Sequence, residues 1–377
     1  KGDKPGYPNF FRKIEKNEAS KSIYGTPKSD GQWFIQKDYG MTLDLISKNG
    51  GLDFYRGELG EVISSDMEQN DALIMKEDTM GFDVPETETI TGYYRGYEIR
   101  GAVSGCSSSP QIISMLQILE GFDMKGMGHN SPDYIDLVSR VMRAGFLDHL
   151  QLKGDPPFSI VQNLLPKFLS SERAAYWQNR IQEDPVTGPD YPTGLGSETT
   201  HISVVDEEGT GVSWTHTLGS LGGSGVVTQG LGFLYNNFVG HFNPTPGKWD
   251  SILPGKRGGG GAPLLLYKNG KLVMVIGAPG GSRIITAVLQ VILNVVDHGM
   301  TMQEAVNAPR FHSEEKNRIF LEPEIPENVE QTIKAKGFDI FRSNYMSRVQ
   351  AIWVNQPDGN FFAGSDPRGG GGQGVIA

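Results

Sequence analysis

One cysteine in 377 residues, Cys106, excludes an internal disulfide and leaves no second thiolate for a metal site. Its neighbours, Ser104-Gly105 before it and Ser107-Ser108 after it, read as a turn ahead of a helix, so a structural thiol is a simpler reading than a catalytic one. No run of about eighteen apolar residues occurs, which leaves no candidate for a membrane-crossing helix. The first residues, Lys1-Gly2-Asp3-Lys4-Pro5-Gly6, are polar and lack the apolar centre of a signal peptide; the compartment stays open. Basic clusters are missing too. With 34 Lys+Arg against 44 Asp+Glu and a net charge of -10, nothing here would follow a phosphate backbone, and nucleic acid is not an expected partner. His201, His216, His241 and His312 show no ligand spacing on one helix and have no cysteines to help them, so they read as structural or pocket-lining, and neither metal nor organic cofactor is expected.

Glycine, by contrast, is abundant: 50 residues, roughly twice the usual share, concentrated after position 190. Before that point the pattern is mainly helical. Apolar residues from Leu43 to Ile63 recur at helical intervals around a Gly50-Gly51 break, and Tyr93 to Arg100 alternates as one strand should. Pro110 and Pro132 each stand at a helix start, the first helix ending at Gly121 and the second near Leu150. Residues 157–186 continue the helical pattern, and 185–198 loosen into a Gly/Pro/Ser linker.

The texture then changes. Ile202–Asp206 and Val212–Thr217 form an alternating pair joined by Glu207-Glu208-Gly209-Thr210, a hairpin; Leu264–Tyr267 and Leu272–Ile276 form a second one around Asn269-Gly270, the favoured turn pair. Gly277-Ala278-Pro279-Gly280-Gly281-Ser282 leads into an apolar helix from about Ile284 to Asp297. Thr301 to Glu304 then forms a capping box for another helix that must stop before Pro309. Strands feeding helices that cover one sheet face predict a layered α+β core.

Two hydroxyl residues, Thr199 and Thr200, open the first hairpin directly after the linker. Were the chain cut before Thr199, its hydroxyl and a free α-amine would share one residue. The amine, with a pKa of roughly 7.7–8.0, could take a proton from that hydroxyl near neutral pH. On alternation alone Thr199 is an ordinary strand threonine. Seven ordered words change that reading: TTHISVVDEEG at 199, THTLGSLGGSG at 215, LYNN at 234, PGKR at 254, GAPGGSRIITAVLQ at 277, NAPRFH at 307 and GSDPR at 364, with looser agreement through YRGYEI at 94 and SSSPQIISMLQILEGF at 107.

On these words the chain resembles the gamma-glutamyltranspeptidase family of N-terminal-nucleophile hydrolases over nearly its whole length. The resemblance implies a four-layer αββα sandwich, made as one precursor that cuts itself between Glu198 and Thr199. Residues 1–198 would then be the C-terminal part of a large subunit and 199–377 the small catalytic subunit. It implies Thr199 as nucleophile, Thr217 as the second threonine that orients it, and Gly280 and Gly281 as backbone donors to the oxyanion. A glycine-rich turn before a helix also suits phosphate, but the Lys-Ser/Thr ending of the nucleotide loop is missing.

One part of the family pattern is not here. Members hold the α-amino and α-carboxylate groups of a γ-glutamyl substrate with Asn, Gln or Glu, Asp and a Ser-Ser pair; those places hold Gly219, Phe238, His241, Gly259 and Gly260. A free ammonium against Phe238 and His241 would lack a carboxylate. Phe238 and Trp249 could instead make an apolar acyl site, and Arg257 and Arg283 could face an anionic substrate. The expected activity is hydrolysis of a small-molecule amide outside the γ-glutamyl class, with transfer to an acceptor amine left open. The alternatives are a γ-glutamyl hydrolase with a rearranged clamp and a non-catalytic binding relative.

Overall fold

The structure is a computed structural model that describes residues 7–84, 86–103, 108–152, 161–183, 199–242, 244–246, 251–256, 261–355 and 358–368. Cys106, Glu198, Trp249, Arg257, Gly259 and Gly260 lie outside the described residues. Contacts divide the chain into two compact units. The smaller holds residues 1–86, 218–241 and 253–255, and the larger holds 87–217, 242–252 and 256–377.

The smaller unit contains α1 (Tyr7–Ile14), α2 (Glu18–Tyr24), α3 (Lys37–Asn49), α4 (Asp53–Arg56), α5 (Glu58–Gln69) and α6 (Lys76–Gly81). Leu59, Ile63 and Met67 on α5 bury against Leu231, which fixes the 218–241 segment to the helices. Polar bonds add to this: Thr42 donates to the Leu231 carbonyl at 2.8 Å, and Lys13 Nζ donates to Ser220 Oγ at 2.6 Å and the Gly223 carbonyl at 2.8 Å.

The larger unit is built on a six-stranded sheet with order β1-β2-β5-β6-β10-β11: β1 (Thr89–Tyr94), β2 (Tyr97–Ala102), β5 (Leu264–Lys268), β6 (Lys271–Gly277), β10 (Gln350–Val354) and β11 (Phe361–Ser365). All its neighbours are antiparallel. Helices α7 (Ser109–Leu119), α9 (Pro132–Leu152) and α12 (Arg283–Val296) share one core with it. Gly92 and Gly101 let α7 close onto β1 and β2, since a Cβ at Gly92 would run into Ile113 and one at Gly101 would lie 2.6 Å from Ser109 Oγ. Smaller helices α8 (Met124–Met127), α10 (Val161–Phe168), α11 (Ser171–Glu183), α13 (Met302–Asn307) and α14 (Glu327–Ala335) and a three-stranded sheet of β7 (Phe311–His312), β8 (Arg318–Leu321) and β9 (Asp339–Arg342) complete the helical side.

The hairpin β3 (Thr199–Val205) and β4 (Gly211–Thr217) lies on the opposite face of the six-stranded sheet. Val275 of β6 reaches it at Gly211, while Met274 and Ile276 bury in the helical core, as alternation along a strand requires. Helix, sheet and sheet therefore follow one another in this unit, and the class is α+β as the sequence predicts.

One expectation needs correction. Residues 93–100 are not a single strand but the turn of a hairpin, with Arg95 and Gly96 at φ 49° and 75° between Tyr94 and Tyr97. An arginine in the left-handed region is unfavourable. Here its guanidinium offsets the cost by bonding Asp297 at 3.1 Å and the Glu120 and Phe122 carbonyls at 2.8 and 2.6 Å. Elsewhere, the Thr301/Glu304 capping box forms at the start of α13 as its sequence indicates.

The sheet also crosses the junction between Glu198 and Thr199. Glu98 to Gly101 of β2 pair with Tyr267 to Leu264 of β5, so residues before and after that junction share one hydrogen-bonded ladder.

Candidate active site

The turn at residues 206–210 sets the hairpin's register. Asp206 Oδ1 accepts from the backbone N–H groups of Glu208 and Thr210 at 3.1 and 2.7 Å, which folds the chain back so that Val205 meets Gly211. Counting outward from there, Thr199 faces Thr217. Their hydroxyls touch: Thr199 Oγ1 donates to Thr217 Oγ1 at 3.1 Å, with Thr199 only 8% exposed. A residue inserted in either strand would break this pair, because strand side chains alternate faces.

The rungs of the hairpin step along β6. Gly211 sits over Leu272 and Val275, Ser213 Oγ donates to the Ile276 carbonyl at 2.9 Å, and the ring of His201 lies against Gly277. The next rung outward is Thr199 and Thr217, and the next residues along β6 are the Ala278–Gly281 turn into α12.

In that turn Gly280 and Gly281 have φ of 141° and 65°, conformations that side-chain-bearing residues rarely adopt. Among the described residues neither backbone N–H has a hydrogen-bond acceptor. Both precede the N-terminus of the fourteen-residue helix α12, whose dipole favours negative charge at that end. Two adjacent open donors at a helix start suit a developing oxyanion.

His201 is engaged within the fold. Its ring is buried, with Nδ1 2.9 Å from Thr215 Oγ1 and Nε2 3.2 Å from Ser203 Oγ, and burial pushes its pKa down to about 4. It is a neutral spacer between hairpin and sheet. His312 is equally structural, with Nδ1 2.8 Å from Thr286 Oγ1 and Nε2 3.3 Å from Glu314. Arg283, considered for an anionic substrate, is engaged otherwise: it donates to Ser343 Oγ at 2.9 Å and to the Tyr345 carbonyl, and lies over the rings of Phe320 and Tyr345. Among the described residues no group of three His, Cys, Asp or Glu could hold a metal ion.

The remaining candidates belong to the smaller unit. Gly219 has φ 92°, and Phe238 opens a short 3₁₀ turn (Phe238–His241) by donating its N–H to Asn236 Oδ1 at 3.0 Å. His241 closes that turn.

Ser347 carries no sequence signal, yet it contacts this site directly. It is buried at φ 71° and donates its hydroxyl to the Pro279 carbonyl at 2.6 Å. Behind it Arg310 Nη1 reaches the Met346 and Ser347 carbonyls at 3.4 Å, and Arg310 Nη2 pairs with Asp366 at 2.6 Å. Asp366 also accepts from Val349 N at 2.8 Å and from Arg368 Nη1 at 3.0 Å. The Asp366-Pro367-Arg368 turn is thus part of a buried ion network.

This arrangement, a buried hydroxyl at a strand start facing a second hydroxyl across a hairpin, lies in a fold shared with a solved acylase. The chain superimposes on cephalosporin acylase from Bacillus halodurans with a TM-score of 0.85 and 24% identity, over 93% of this chain and 65% of that one. The chain has the fold of that acylase. Residues 10–376 match the family model of gamma-glutamyltranspeptidase. Acylase ACY 1 proenzyme of Pseudomonas sp. (strain V22) is 37% identical over 338 residues, 89% of this chain and 60% of that protein. Glutathione hydrolase proenzyme of Escherichia coli (strain K12) is 34% identical over 376 residues, 94% and 64% respectively. The chain belongs to the gamma-glutamyltranspeptidase family and spans 60% and 64% of the length of these two relatives.

Proposed function

We propose that this chain is the greater part of an autoprocessing amidohydrolase in which Thr199 is the nucleophile and the acyl group is not γ-glutamyl. The observation that carries the reading is the Thr199 to Thr217 hydroxyl contact of 3.1 Å at the end of a register-locked hairpin. In the precursor, Thr199 Oγ1 attacks the Glu198 carbonyl, the peptide nitrogen leaves as the new α-amine, and water hydrolyses the resulting ester to free the Glu198 carboxylate and the Thr199 hydroxyl. In the mature enzyme that amine takes the hydroxyl proton as Oγ1 adds to the substrate carbonyl, and delivers it to the departing amine. Water then adds to the acyl-enzyme, restores the hydroxyl and releases a carboxylic acid. Gly280 and Gly281 hold the oxyanion in both steps, and Thr217 orients the nucleophile.

The substrate follows from what the clamp positions lack. Gly219, Phe238, His241, Gly259 and Gly260 contribute no carboxylate or carboxamide for an α-ammonium group. Phe238 is itself one of these positions, and Trp249 lies between His241 and Gly259, so both are candidates for an apolar acyl site. An acyl group without the ammonium avoids an uncompensated charge, which would cost several kcal/mol if desolvated. The similarity to an acylase at 37% and to a cephalosporin acylase fold supports this choice. A γ-glutamyl hydrolase is the second reading, favoured by the 34% identity to the Escherichia coli glutathione hydrolase.

Electrophoresis of the full-length protein tests the first claim: wild type yields two fragments and Thr199→Ala one. An uncut wild-type chain would leave a non-catalytic binding relative. Glutaryl-p-nitroanilide and γ-glutamyl-p-nitroanilide, which differ only in the α-ammonium, test the second. Faster turnover of the glutaryl compound is expected, and a preference for γ-glutamyl restores the second reading.

A further inference from the structure

We propose that Ser347 is a positioning residue that aims the Gly280 N–H, an inference that rests on the oxyanion role given to Gly280 above. The argument begins with the peptide plane. The carbonyl of Pro279 and the N–H of Gly280 belong to one planar trans unit and point in opposite directions, so whatever holds the carbonyl aims the N–H. That carbonyl accepts two bonds, from Ser347 Oγ at 2.6 Å and from Arg348 N at 3.3 Å. The shorter bond comes from the one side chain in the pair, and it is fully buried.

Ser347 also walls the turn. A Cβ at Gly280 would stand 2.8 Å from Ser347 Oγ, 2.9 Å from its Cβ and 3.0 Å from its Cα, so the two backbones meet without room for a side chain. Ser347, at φ 71°, is in a conformation unfavourable for a residue with a side chain, and Gly280, at φ 141°, is in one that L side chains rarely adopt. Strained backbone persists only where its surroundings over-determine it. Here they do: Arg310 holds the Met346 and Ser347 carbonyls, and Asp366 holds both Arg310 and the Val349 N–H. The result is a chain of buried contacts from Asp366 to the Gly280 peptide, with Ser347 as its last link.

Two substitutions separate aiming from simple packing. Ser347→Ala keeps the Cβ wall and the backbone preference and removes the hydroxyl. Ser347→Gly removes the hydroxyl but suits the left-handed conformation better, so it offsets the lost bond in stability. Both variants are expected to lower kcat on glutaryl-p-nitroanilide by about ten- to a hundredfold at nearly constant KM, below the 10²–10³ typical of losing a whole oxyanion donor. Inhibition by phenylboronic acid, which forms a tetrahedral anionic adduct with the nucleophile, should weaken by a similar factor. Ser347→Gly should do this with the melting temperature of wild type.

A purely structural serine would give the opposite pattern, with kcat recovering in Ser347→Gly along with stability, and that result overturns the proposal. Thr199→Ala is run alongside. If it abolishes turnover while both Ser347 variants match wild type in kcat and boronate inhibition, only the aiming role is lost. If Thr199→Ala retains turnover, the nucleophile reading and this one fall together.

Discussion

Replacing Gly277 by alanine tests whether the nucleophile is positioned by the sheet beneath it. Gly277 is the last residue of β6 and pairs with Gln350 of β10. An alanine Cβ there would lie 2.5 Å from His201 Nδ1 and 2.6 Å from Nε2, where ordinary contacts begin at 3.4 Å. The ring must therefore retreat by about 0.9 Å or more. It has little freedom to do so alone, being buried and bonded to Thr215 and Ser203, so β3 moves with it. Thr199 lies two residues along the same strand. Overpacking of this kind costs about 1–3 kcal/mol. A misplacement of roughly 1 Å in a reacting group can cost about a hundredfold in rate. The expected outcome is a folded protein with a melting temperature lowered by a few degrees, slow or incomplete cutting before Thr199, and kcat reduced far more than stability alone would imply. Adding His201→Ala to Gly277→Ala should recover part of the rate, because the smaller side chain returns the space. A Gly277→Ala variant that cuts and turns over like wild type would show that the hairpin does not depend on this contact, and the positioning argument would fail.

Two other outcomes follow from the same geometry. Thr217→Val keeps the shape but removes the acceptor for Thr199 Oγ1, and kcat should drop roughly tenfold, about the worth of one hydrogen bond of near 1.4 kcal/mol, while Thr217→Ser stays close to wild type. Equal rates in all three would remove Thr217 from the mechanism. His201 links stability to pH. Burial lowers its pKa from 6.5 to about 4, so between those values the unfolded chain binds a proton that the folded chain refuses. The stabilisation is therefore present above pH 6.5 and lost as pH falls towards 4, by roughly 3 kcal/mol in all. His129, lowered to about 4 mainly by burial as well, adds to the same slope. Urea unfolding between pH 7 and 4.5 should show a shallower loss in His201→Gln than in wild type, and identical slopes would mean that His201 does not titrate in this way.

What could be read from the sequence were the features whose causes are local. The Asp206 to Thr210 turn fixes the register, and from it the Thr199 to Thr217 pairing follows by counting. Thr301 and Glu304 announce α13, and the glycines after Gly277 mark a turn that no side chain fits. The parts that escaped depend on partners remote in sequence. Arg95 turns the chain in a place where alternation implies continuous strand, because Asp297 waits for its guanidinium 202 residues away. Ser347 looks like any serine until Pro279, 68 residues earlier, is brought against it. Arg283 reads as a free cation beside a glycine turn, and only the fold supplies the aromatic rings and carbonyls that occupy it.

The division of the chain has a chemical consequence. Thr199, Thr217, Gly280 and Gly281, together with Ser347 and the ion network behind it, all belong to the larger unit, whereas Gly219, Phe238 and His241 belong to the smaller. The proposed reaction machinery is fixed by strand register and buried ion pairs, which tolerate little change. Gly219, Phe238 and His241 lie in the unit that has its own small core around Leu231, so substitutions there need not disturb that register. The β2 to β5 ladder adds a further constraint: a cut before Thr199 frees an amine without freeing the pieces, since each contributes strands to the same sheet and side chains to the same core. On the proposed reading, a chain built this way could exchange its acyl substrate while keeping Thr199 as nucleophile. The absence of carboxylate and carboxamide side chains at Gly219, Phe238 and His241, with the Thr199–Thr217 contact intact, is what that reading expects.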